Sequence, residues 1–316
     1  MPGEERRAAM TEAASGRLAI QRMIDTRILA AFSVLRPHQW LKNLLLCAPA
    51  IAAHRFDWPT GRNVLIAFVS LSLVASGSYV LNDLLDLGAD GQHPRKRRRA
   101  LAAGQISRIS GAALVVMTWL VGFGIAVSAL PSLFVLALGI YLLGTCLYSL
   151  RLKREPVLDV MALTGLYVIR IIAGGFATAI PVSTWLSTFA LFICLSLALM
   201  KRYVEVIAQP KDANADVPGR GYRVADAQWL QTAGISSGYL STVVLAIYVN
   251  NPEVTRLYAH PDRLLFACPV VLYWTTRAWQ KAHRRTMRDD PVVEVATDPV
   301  TYVLLVISAV VMLTAV

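Results

Sequence analysis

The chain has little cysteine and lacks the glycine-rich and nucleophile motifs of common soluble enzymes. No G-x-S-x-G, Walker-type phosphate loop or Rossmann glycine run is present, which argues against serine hydrolase chemistry, ATP-driven transport and dinucleotide redox chemistry. The histidines show no ligand-like grouping, so a zinc site is not expected. The cysteines lie scattered in apolar segments and are interpreted as small core residues rather than a disulfide framework: Cys47, Cys146, Cys194 and Cys268.

Charge is also sparse over long stretches of the chain. Of 316 residues, 56% are hydrophobic and 16% are charged, which is too apolar for an ordinary soluble domain. Several apolar runs approach or exceed the roughly 20 residues that cross a bilayer as a helix. We predict an all-α, polytopic membrane bundle of about nine transmembrane helices, with a cytoplasm-facing polar cavity. The approximate spans are Leu41–Ala53, Val64–Leu81, Ile109–Leu130, Leu133–Leu150, Val157–Ile180, Thr184–Met200, Ala227–Val249, Leu264–Trp279 and Thr301–Val316.

Positive charge exceeds negative charge, but its distribution argues against nucleic acid as a partner. The net charge is +11. The loops after the third and fifth predicted spans contain no lysine or arginine, whereas those after the second, fourth, sixth and eighth are basic. This asymmetry predicts a multi-pass protein of the inner (plasma) membrane, with the N-terminus and the even-numbered loops cytoplasmic. Anionic lipid headgroups and phosphorylated substrates are the expected partners.

The N-terminal segment differs from the rest of the chain. The first 30 residues lack the pattern of a removable signal. We therefore divide the chain into a cytoplasmic or interfacial extension, residues 1–34, and a membrane domain, residues 35–316. Leu18–Phe32 has the spacing of an amphipathic helix on the membrane surface, and a solvated tail is the open alternative.

An acidic run follows the second predicted span, Asn82-Asp83-x-x-Asp86-x-x-x-Asp90. In one continuous helix the three carboxylates would share a stripe, where they would repel one another unless a divalent cation lay between them. Mg²⁺ suits a few carboxylate oxygens combined with substrate phosphate. The sequence predicts a Mg²⁺ site made by Asn82, Asp83, Asp86 and Asp90; the competing interpretation is a solvated helix end, or acids paired with nearby arginines.

Other candidates are polar groups at the cytoplasmic boundary or inside spans. The basic run after the acids could contact a bound diphosphate or merely anchor anionic lipid. Arg170 lies deep in an apolar run and must face the bundle interior or a hydrated cavity, as a catalytic group or as a structural partner of a buried acid or of helix-end carbonyls. Asp83, Asp86, Asp159 and Arg170 are the catalytic candidates. The substrate-binding candidates are Lys42, Asn43, Lys96, Arg97, Arg99, Tyr148, Lys153, Lys201, Arg202 and Tyr203.

These residues together resemble the UbiA superfamily of intramembrane prenyltransferases, from about Leu35 to the C-terminus. The run Asn82 to Asp90 looks like that superfamily's first aspartate-rich motif. Within it, the chain is similar to the decaprenyl-phosphate phosphoribosyltransferase subfamily. The further resembling pieces are Leu35-Arg36-Pro37-x-Gln39-Trp40-x-Lys42-Asn43, His93-Pro94-x-Lys96-Arg97-x-Arg99, Ile169-Arg170-x-x-Ala173-Gly174-Gly175, Lys201-Arg202-Tyr203 and Asp289-Asp290-Pro291-Val292.

The resemblance implies a reaction as well as a fold. It implies a cavity that opens laterally to lipid, in which a polyprenyl phosphate attacks C1 of 5-phosphoribosyl diphosphate (PRPP) and releases diphosphate with Mg²⁺. A role in a cell-wall arabinan precursor pathway follows from the resemblance alone, and a homo-oligomer is left open. Two departures stand out: the usual second D-x-x-x-D motif has Leu163 after Asp159, and Ala100 replaces the subfamily's usual proline.

Two alternatives remain open from the sequence. An aromatic prenyltransferase of the same superfamily would use a polyprenyl diphosphate on the same metal site. The missing second-motif acid and the extra basic residues favour phosphoribosyl transfer over that reaction. A membrane transporter would use Arg170 and the acids as an ion pathway, but the acids cluster at one membrane face rather than at the midplane.

Overall fold

The computed structural model describes residues 33–92, 97, 99–209, 216–249, 251, 258–287 and 290–316. The predicted amphipathic helix Leu18–Phe32 lies outside these residues. The described residues are helical, apart from loops and one isolated antiparallel bridge between Asp216 and Arg223. The α-helices are α1 Ala48–Ala52, α2 Trp58–Leu85, α3 Leu87–Gln92, α4 Arg108–Ala129, α5 Ser132–Leu150, α6 Leu158–Thr178, α7 Thr184–Ile207, α8 Ala227–Val249, α9 Ala267–His283, α10 Pro291–Ala296 and α11 Pro299–Ala315.

Five segments of the described chain are long and apolar enough to cross a membrane: Trp58–Leu85, Arg108–Ala129, Ser132–Leu150, Leu158–Thr178 and Val224–Val249. The count of nine spans therefore stays a prediction. Two predicted spans are divided between helix types. The first is a 3-10 helix, Pro37–Cys47, followed by α1, and the eighth begins as the 3-10 helix Pro261–Phe266 before α9. Proline is tolerated at the start of a helix. It lacks a backbone N–H, and the first-turn N–H groups have no acceptor within the helix, so no hydrogen bond is lost there.

Several helices begin where the sequence supplies a side-chain cap. The Ser183 hydroxyl accepts a hydrogen bond from the Leu186 amide at 3.1 Å before α7. The Asp298 carboxylate accepts from the Val300 amide at 3.0 Å before α11. Such caps satisfy first-turn amides that have no intrahelical partner, and so they set where a helix starts.

The described residues group into two compact units. The first contains the described residues up to Pro37 together with Leu73–Val121. Its apolar core is formed by Val34, Val80, Ala100, Leu101 and Val115. Within it, the indole of Trp119 on α4 donates to the Val74 carbonyl of α2 at 3.2 Å. A methyl group at Gly77 would overlap Trp119, so the absence of a side chain there permits this close packing.

The second unit contains His38–Ser72 and Gly122–Val316. Its largest core is built from apolar residues of α6 to α10 and the loop before α8, including Leu199, Leu230 and Trp279. The sequence predicts that Gly174-Gly175 permits close helix packing. The structure confirms this, since a methyl group at Gly174 would overlap the carbonyl group of Leu46.

Large apolar side chains cover the outer faces of several helices. On α5 the exposed residues include Leu136, Ile140, Leu143 and Leu147. This spacing places them on one helical face. The opposite side of α5 buries Phe134, Ala137, Leu138, Tyr141, Thr145 and Ser149. A continuous apolar face of this kind matches an acyl-chain environment rather than water.

Candidate functional site

Three polar clusters contain most of the predicted site residues, one in the first unit and two in the second. In the first unit the acidic cluster is Asn82, Asp83 and Asp86, at the end of α2. The continuous helix expected from the sequence is interrupted, because α2 ends at Leu85 and α3 begins at Leu87. Asp90 lies on α3, and its side chain is outside the described residues.

Asp83 is buried and paired with two arginines. Its carboxylate accepts hydrogen bonds from Nη2 of Arg36 at 2.6 and 2.7 Å, and from Nη1 of Arg99 at 2.9 Å. Asn82 donates its amide N–H to Asp86 Oδ2 at 3.1 Å. For Asp83 the structure therefore shows the pairing with arginines that the competing interpretation named, and the Mg²⁺ site stays a prediction. The arginines neutralise Asp83, because a carboxylate removed from water is stable only with such partners.

The acidic cluster has the ligand chemistry for Mg²⁺. Among the residues that the structure describes, no group of three or more histidine, cysteine, aspartate or glutamate side chains is arranged to hold a metal. Asp83 and Asp86 nevertheless offer carboxylate oxygens, and Asn82 offers an amide oxygen. Mg²⁺ commonly uses one or two carboxylates, water and substrate phosphate. This donor set fits that pattern.

The basic run next to the acids is only partly described. Lys96 lies outside the described residues, and Arg97 is exposed. Arg99 turns inward to Asp83. Arg36, 47 positions before Asp83 in the chain, contributes a second guanidinium that was not among the predicted site residues.

In the second unit, Arg170 on α6 is 4% exposed. Its Nε donates to Asn43 Oδ1 at 2.9 Å, Nη2 donates to the Tyr141 hydroxyl at 3.0 Å, and Nη1 donates to the Leu166 carbonyl. Its guanidinium carbon also lies 4.7 Å from the centre of the Tyr141 ring. The prediction that Arg170 faces the interior is confirmed. Its hydrogen-bond partners among the described residues are all neutral, so no carboxylate in that part of the chain forms an ion pair with it.

Lys42 and Asn43 precede α1 and are both buried. Asn43 donates to the Ser72 hydroxyl at 2.9 Å while it accepts from Arg170. The Lys42 ammonium contacts Asp290 Oδ2 at 2.5 Å. Burial alone would raise the pKa of Asp290, but the ammonium groups of Lys42 and Lys201 lower it to about 2. The Asp290 carboxylate is therefore ionised throughout the neutral pH range.

A larger network surrounds Asp159 at the start of α6. Asp159 and Arg202 are both fully buried and form an ion pair through Arg202 Nε. Arg202 also donates to Glu205 and to the Tyr148 hydroxyl, and Arg220 Nε contacts Glu205 at 3.2 Å. With two carboxylates and two guanidinium groups, this network is balanced in charge. The structure thus places Asp159, Tyr148 and Arg202 together.

Tyr222, which sequence reasoning missed, completes the network. Its hydroxyl donates to Asp159 Oδ1 at 2.5 Å and accepts from the Val157 amide at 2.9 Å. Burial, followed by the hydrogen bond to Asp159, raises the pKa of Tyr222, so its hydroxyl stays protonated as a donor. No motif marked it, because it lies 63 positions from Asp159 in the chain.

The remaining described candidates are Tyr203, Lys153 and Lys201, which are buried or half-buried. Tyr203 lies in the core, with its ring centroid 5.7 Å from that of Trp279 and its hydroxyl 3.2 Å from His283 Nδ1. Lys153 is buried, whereas Lys201 is half-buried at the end of α7. Tyr203 is therefore placed for packing, while the two lysines supply cationic groups in the second unit.

The family model described as "UbiA prenyltransferase family" matches residues 43–294, most of the chain. The chain belongs to the UbiA prenyltransferase family. The resemblance noted in the sequence is thereby confirmed, and family membership together with the apolar helices makes this a multi-pass membrane protein.

The chain is also similar to individual proteins, over different shares of its length. It is 35% identical to "Nodulation protein NoeC" of Azorhizobium caulinodans over 83% of this chain and 85% of that protein. It is also 35% identical to "Uncharacterized protein y4nM" of Sinorhizobium fredii over 85% of this chain. It is 36% identical to "Decaprenyl-phosphate phosphoribosyltransferase" of Mycobacterium tuberculosis over 54% of this chain. The aligned chain spans 52% of y4nM and 58% of the mycobacterial protein.

Solved structures confirm the helical fold. The structure titled "Structure of a UbiA homolog from Archaeoglobus fulgidus bound to GPP and Mg2+" matches with a TM-score of 0.64. The match covers 90% of this chain and 98% of that one, at 17% sequence identity. At this identity the likeness establishes the UbiA fold and no more.

Proposed function

We propose that this UbiA-family protein transfers the 5-phosphoribosyl group from PRPP to a polyprenyl phosphate of the decaprenyl type. An oxygen of the lipid phosphate forms a bond to C1 of the ribose, and the bond from C1 to diphosphate breaks. Diphosphate leaves with the bonding electrons. A lipid phosphate is already an anionic nucleophile, so the reaction requires no strong general base.

The observation that carries this proposal is Arg170. It is a buried cation in a membrane protein whose described hydrogen-bond partners are neutral. Buried charges are normally paired, and an intramembrane ion usually marks a functional site. A guanidinium held in place by Asn43 and Tyr141 is suited to a phosphate, because its planar N–H groups match two phosphate oxygens.

The first unit supplies groups suited to the leaving diphosphate. When bound there, Mg²⁺ would neutralise charge on the diphosphate oxygens, and Asn82, Asp83 and Asp86 are the residues that would hold it. Arg36 and Arg99 bring two guanidinium groups to the same carboxylate. We assign them to the phosphate charge that develops as the bond to C1 breaks, where fixed cations are most effective.

Lys153 and Lys201 in the second unit are further cations suited to phosphate, whereas Lys42 is paired with Asp290. PRPP carries a 5-phosphate besides its diphosphate, and the acceptor carries a third phosphate group. An aromatic acceptor would need fewer cations. The relatives named decaprenyl-phosphate phosphoribosyltransferase support a lipid phosphate as acceptor and a phosphoribosyl group as the group transferred.

The charge pattern of the loops supports the location of the reaction. The basic loops follow the even-numbered predicted spans, and this charge pattern favours the cytoplasmic side of the inner membrane for them. The acidic cluster adjoins one of these loops. The polyprenyl tail would stay in the bilayer, and water-soluble PRPP would come from the cytoplasm.

The test is a product assay on the purified full-length protein in lipid nanodiscs. Decaprenyl phosphate and PRPP are supplied with Mg²⁺ or with excess EDTA, and lipids are analysed by mass spectrometry. We expect a phosphoribosyl lipid that requires Mg²⁺. Its absence overturns the proposal, as does a prenylated aromatic product formed from polyprenyl diphosphate, or PRPP uptake into proteoliposomes without any covalent product.

A further inference from the structure

A short turn precedes α8 and lies against the loop Arg151–Val157, which joins α5 to α6 and is named here the α5–α6 loop. Asp216 and Arg223 form the antiparallel bridge that closes the turn, and the Val217 amide donates to the Tyr222 carbonyl at 2.8 Å. Gly219 has a φ of 74°, which favours glycine. The turn is therefore a closed unit in which Arg220, Gly221 and Tyr222 are consecutive; we name these three residues the strap.

Each strap residue contacts a different point of the α5–α6 loop. Arg220 Nη1 donates to the Lys153 carbonyl at 3.4 Å. Gly221 lies so close that a methyl group there would overlap the Arg154 carbonyl and the Pro156 ring. The Tyr222 hydroxyl accepts from the Val157 amide. Three consecutive residues thus hold the loop at its middle and at its end.

The held end of the loop has an unfavourable backbone conformation. Val157 has a φ of 67°, and the Leu158 amide donates to the Pro156 carbonyl at 2.8 Å, which makes a tight γ-turn. A β-branched residue is rare at positive φ, and it persists only where surrounding contacts hold it. The contact that holds the Val157 amide is the Tyr222 hydroxyl.

Asp159 anchors the strap, because its carboxylate accepts a hydrogen bond from the Tyr222 hydroxyl. The Asp159 carboxylate accepts hydrogen bonds from Arg202, Tyr222 and the Val160 amide. It is fully buried, so these donors replace the water that it has lost. These contacts suit a residue that anchors the strap, and Leu163 stands where the second-motif acid would be.

We propose that the strap is a positioning element that holds the α5–α6 loop, and with it Lys153, in the geometry that binds substrate phosphate, with Asp159 as its anchor. The part of this proposal in which Lys153 binds a substrate phosphate rests on the proposed function. The part in which the strap holds the α5–α6 loop rests only on the contacts described above. The strap residues touch no reacting atom in this scheme and act through Lys153.

The first test removes a single oxygen atom. Tyr222→Phe keeps the ring, whose centroid lies 6.1 Å from that of Trp229, but deletes the hydroxyl. The matched control is Tyr239→Phe, which deletes a hydroxyl 3.1 Å from that of Thr276 on the exposed side of α8. Hydrogen exchange in nanodiscs, read by mass spectrometry on peptides that contain Val157, should be about tenfold faster in Tyr222→Phe, equivalent to about 1.4 kcal/mol. The control should match wild type.

The second test separates positioning from catalysis. In Tyr222→Phe the KM for PRPP should rise about tenfold while kcat stays within about threefold, because a loosened loop weakens binding more than it changes the chemical step. Gly221→Ala should act in the same direction through a different contact. Unchanged exchange at Val157, or a fall in kcat at unchanged KM, overturns the proposal. If wild type makes no phosphoribosyl lipid, the proposed function fails, and the exchange comparison still decides the strap.

Discussion

Replacing Arg170 tests the proposed function at the group that carries it. Arg170→Met keeps much of the side-chain length but removes the charge and the donors to Asn43 and Tyr141. Removing one hydrogen-bond donor that points at the charge developing in a transition state typically lowers kcat about 10²–10³-fold. This corresponds to an activation free energy higher by about 3–4 kcal/mol. We expect a loss of that size in phosphoribosyl-lipid formation.

The effect on stability should be smaller. The change leaves the Asn43 carbonyl oxygen without its donor, and a buried unpaired acceptor costs about 1–3 kcal/mol. Removing an uncancelled buried charge offsets part of that cost. The variant should therefore insert and unfold cooperatively, with a modestly lower Tm in detergent. Arg170→Lys should recover part of the activity, because it restores the charge but not the planar donor geometry.

A matched control is available on α9. Arg277 pairs with Asp298 at 3.2 Å and is 34% exposed. A partly exposed pair of this kind contributes about 0–1 kcal/mol, so Arg277→Met should leave turnover within about threefold of wild type. Turnover of Arg170→Met in the same range, with normal folding, would refute the assignment of Arg170 to substrate phosphate.

Three further outcomes are expected. Asp83→Asn should lower turnover at least about 100-fold and raise the Mg²⁺ concentration needed for half-maximal rate, since it removes a carboxylate ligand; an unchanged Mg²⁺ dependence argues against the metal role. Gly174→Ala should lower the Tm in detergent, because the added methyl group overlaps the Leu46 carbonyl and such overpacking costs about 1–3 kcal/mol, whereas Gly165→Ala on the same helix has open space and should not. Asp290→Asn should destabilise the protein by a constant amount between about pH 5 and 8. Because the folded-state pKa of about 2 lies below the ordinary value near 3.9, that difference should shrink as the pH falls below about 4, and a difference that instead grows there contradicts the ion pair.

Short-range features were predictable because they depend on neighbouring residues. The predicted span Leu133–Leu150 corresponds to α5, Ser132–Leu150, and Ala227–Val249 matches α8 at both ends. Apolar runs of membrane length have few alternatives to a helix, since lipid offers no hydrogen bonds to the backbone. The inward orientation of Arg170 followed from the same reasoning, because a charge facing lipid is too costly.

The partners of those residues were not predictable. Lys42 and Asp290 are 248 positions apart, and Asp159 and Tyr222 are 63 apart. Hydropathy and spacing describe which side chains share a helix face, but not which distant segment packs against that face. The same limit explains why the pairing of Asp83 with Arg36, rather than with the adjacent basic run alone, was missed.

The amino-acid sequence alone determined the family, the membrane-spanning helices and the residue types at the site, because hydrophobic length, charge asymmetry and the N-D-x-x-D motif are local properties. Tertiary structure alone decided which charges are cancelled and which are not. Asp83 and Asp159 are neutralised by arginines from distant segments, while Arg170 has neutral hydrogen-bond partners. The physical reason is that a buried charge depends on the groups around it in space, and chain folding, not chain order, brings those groups together.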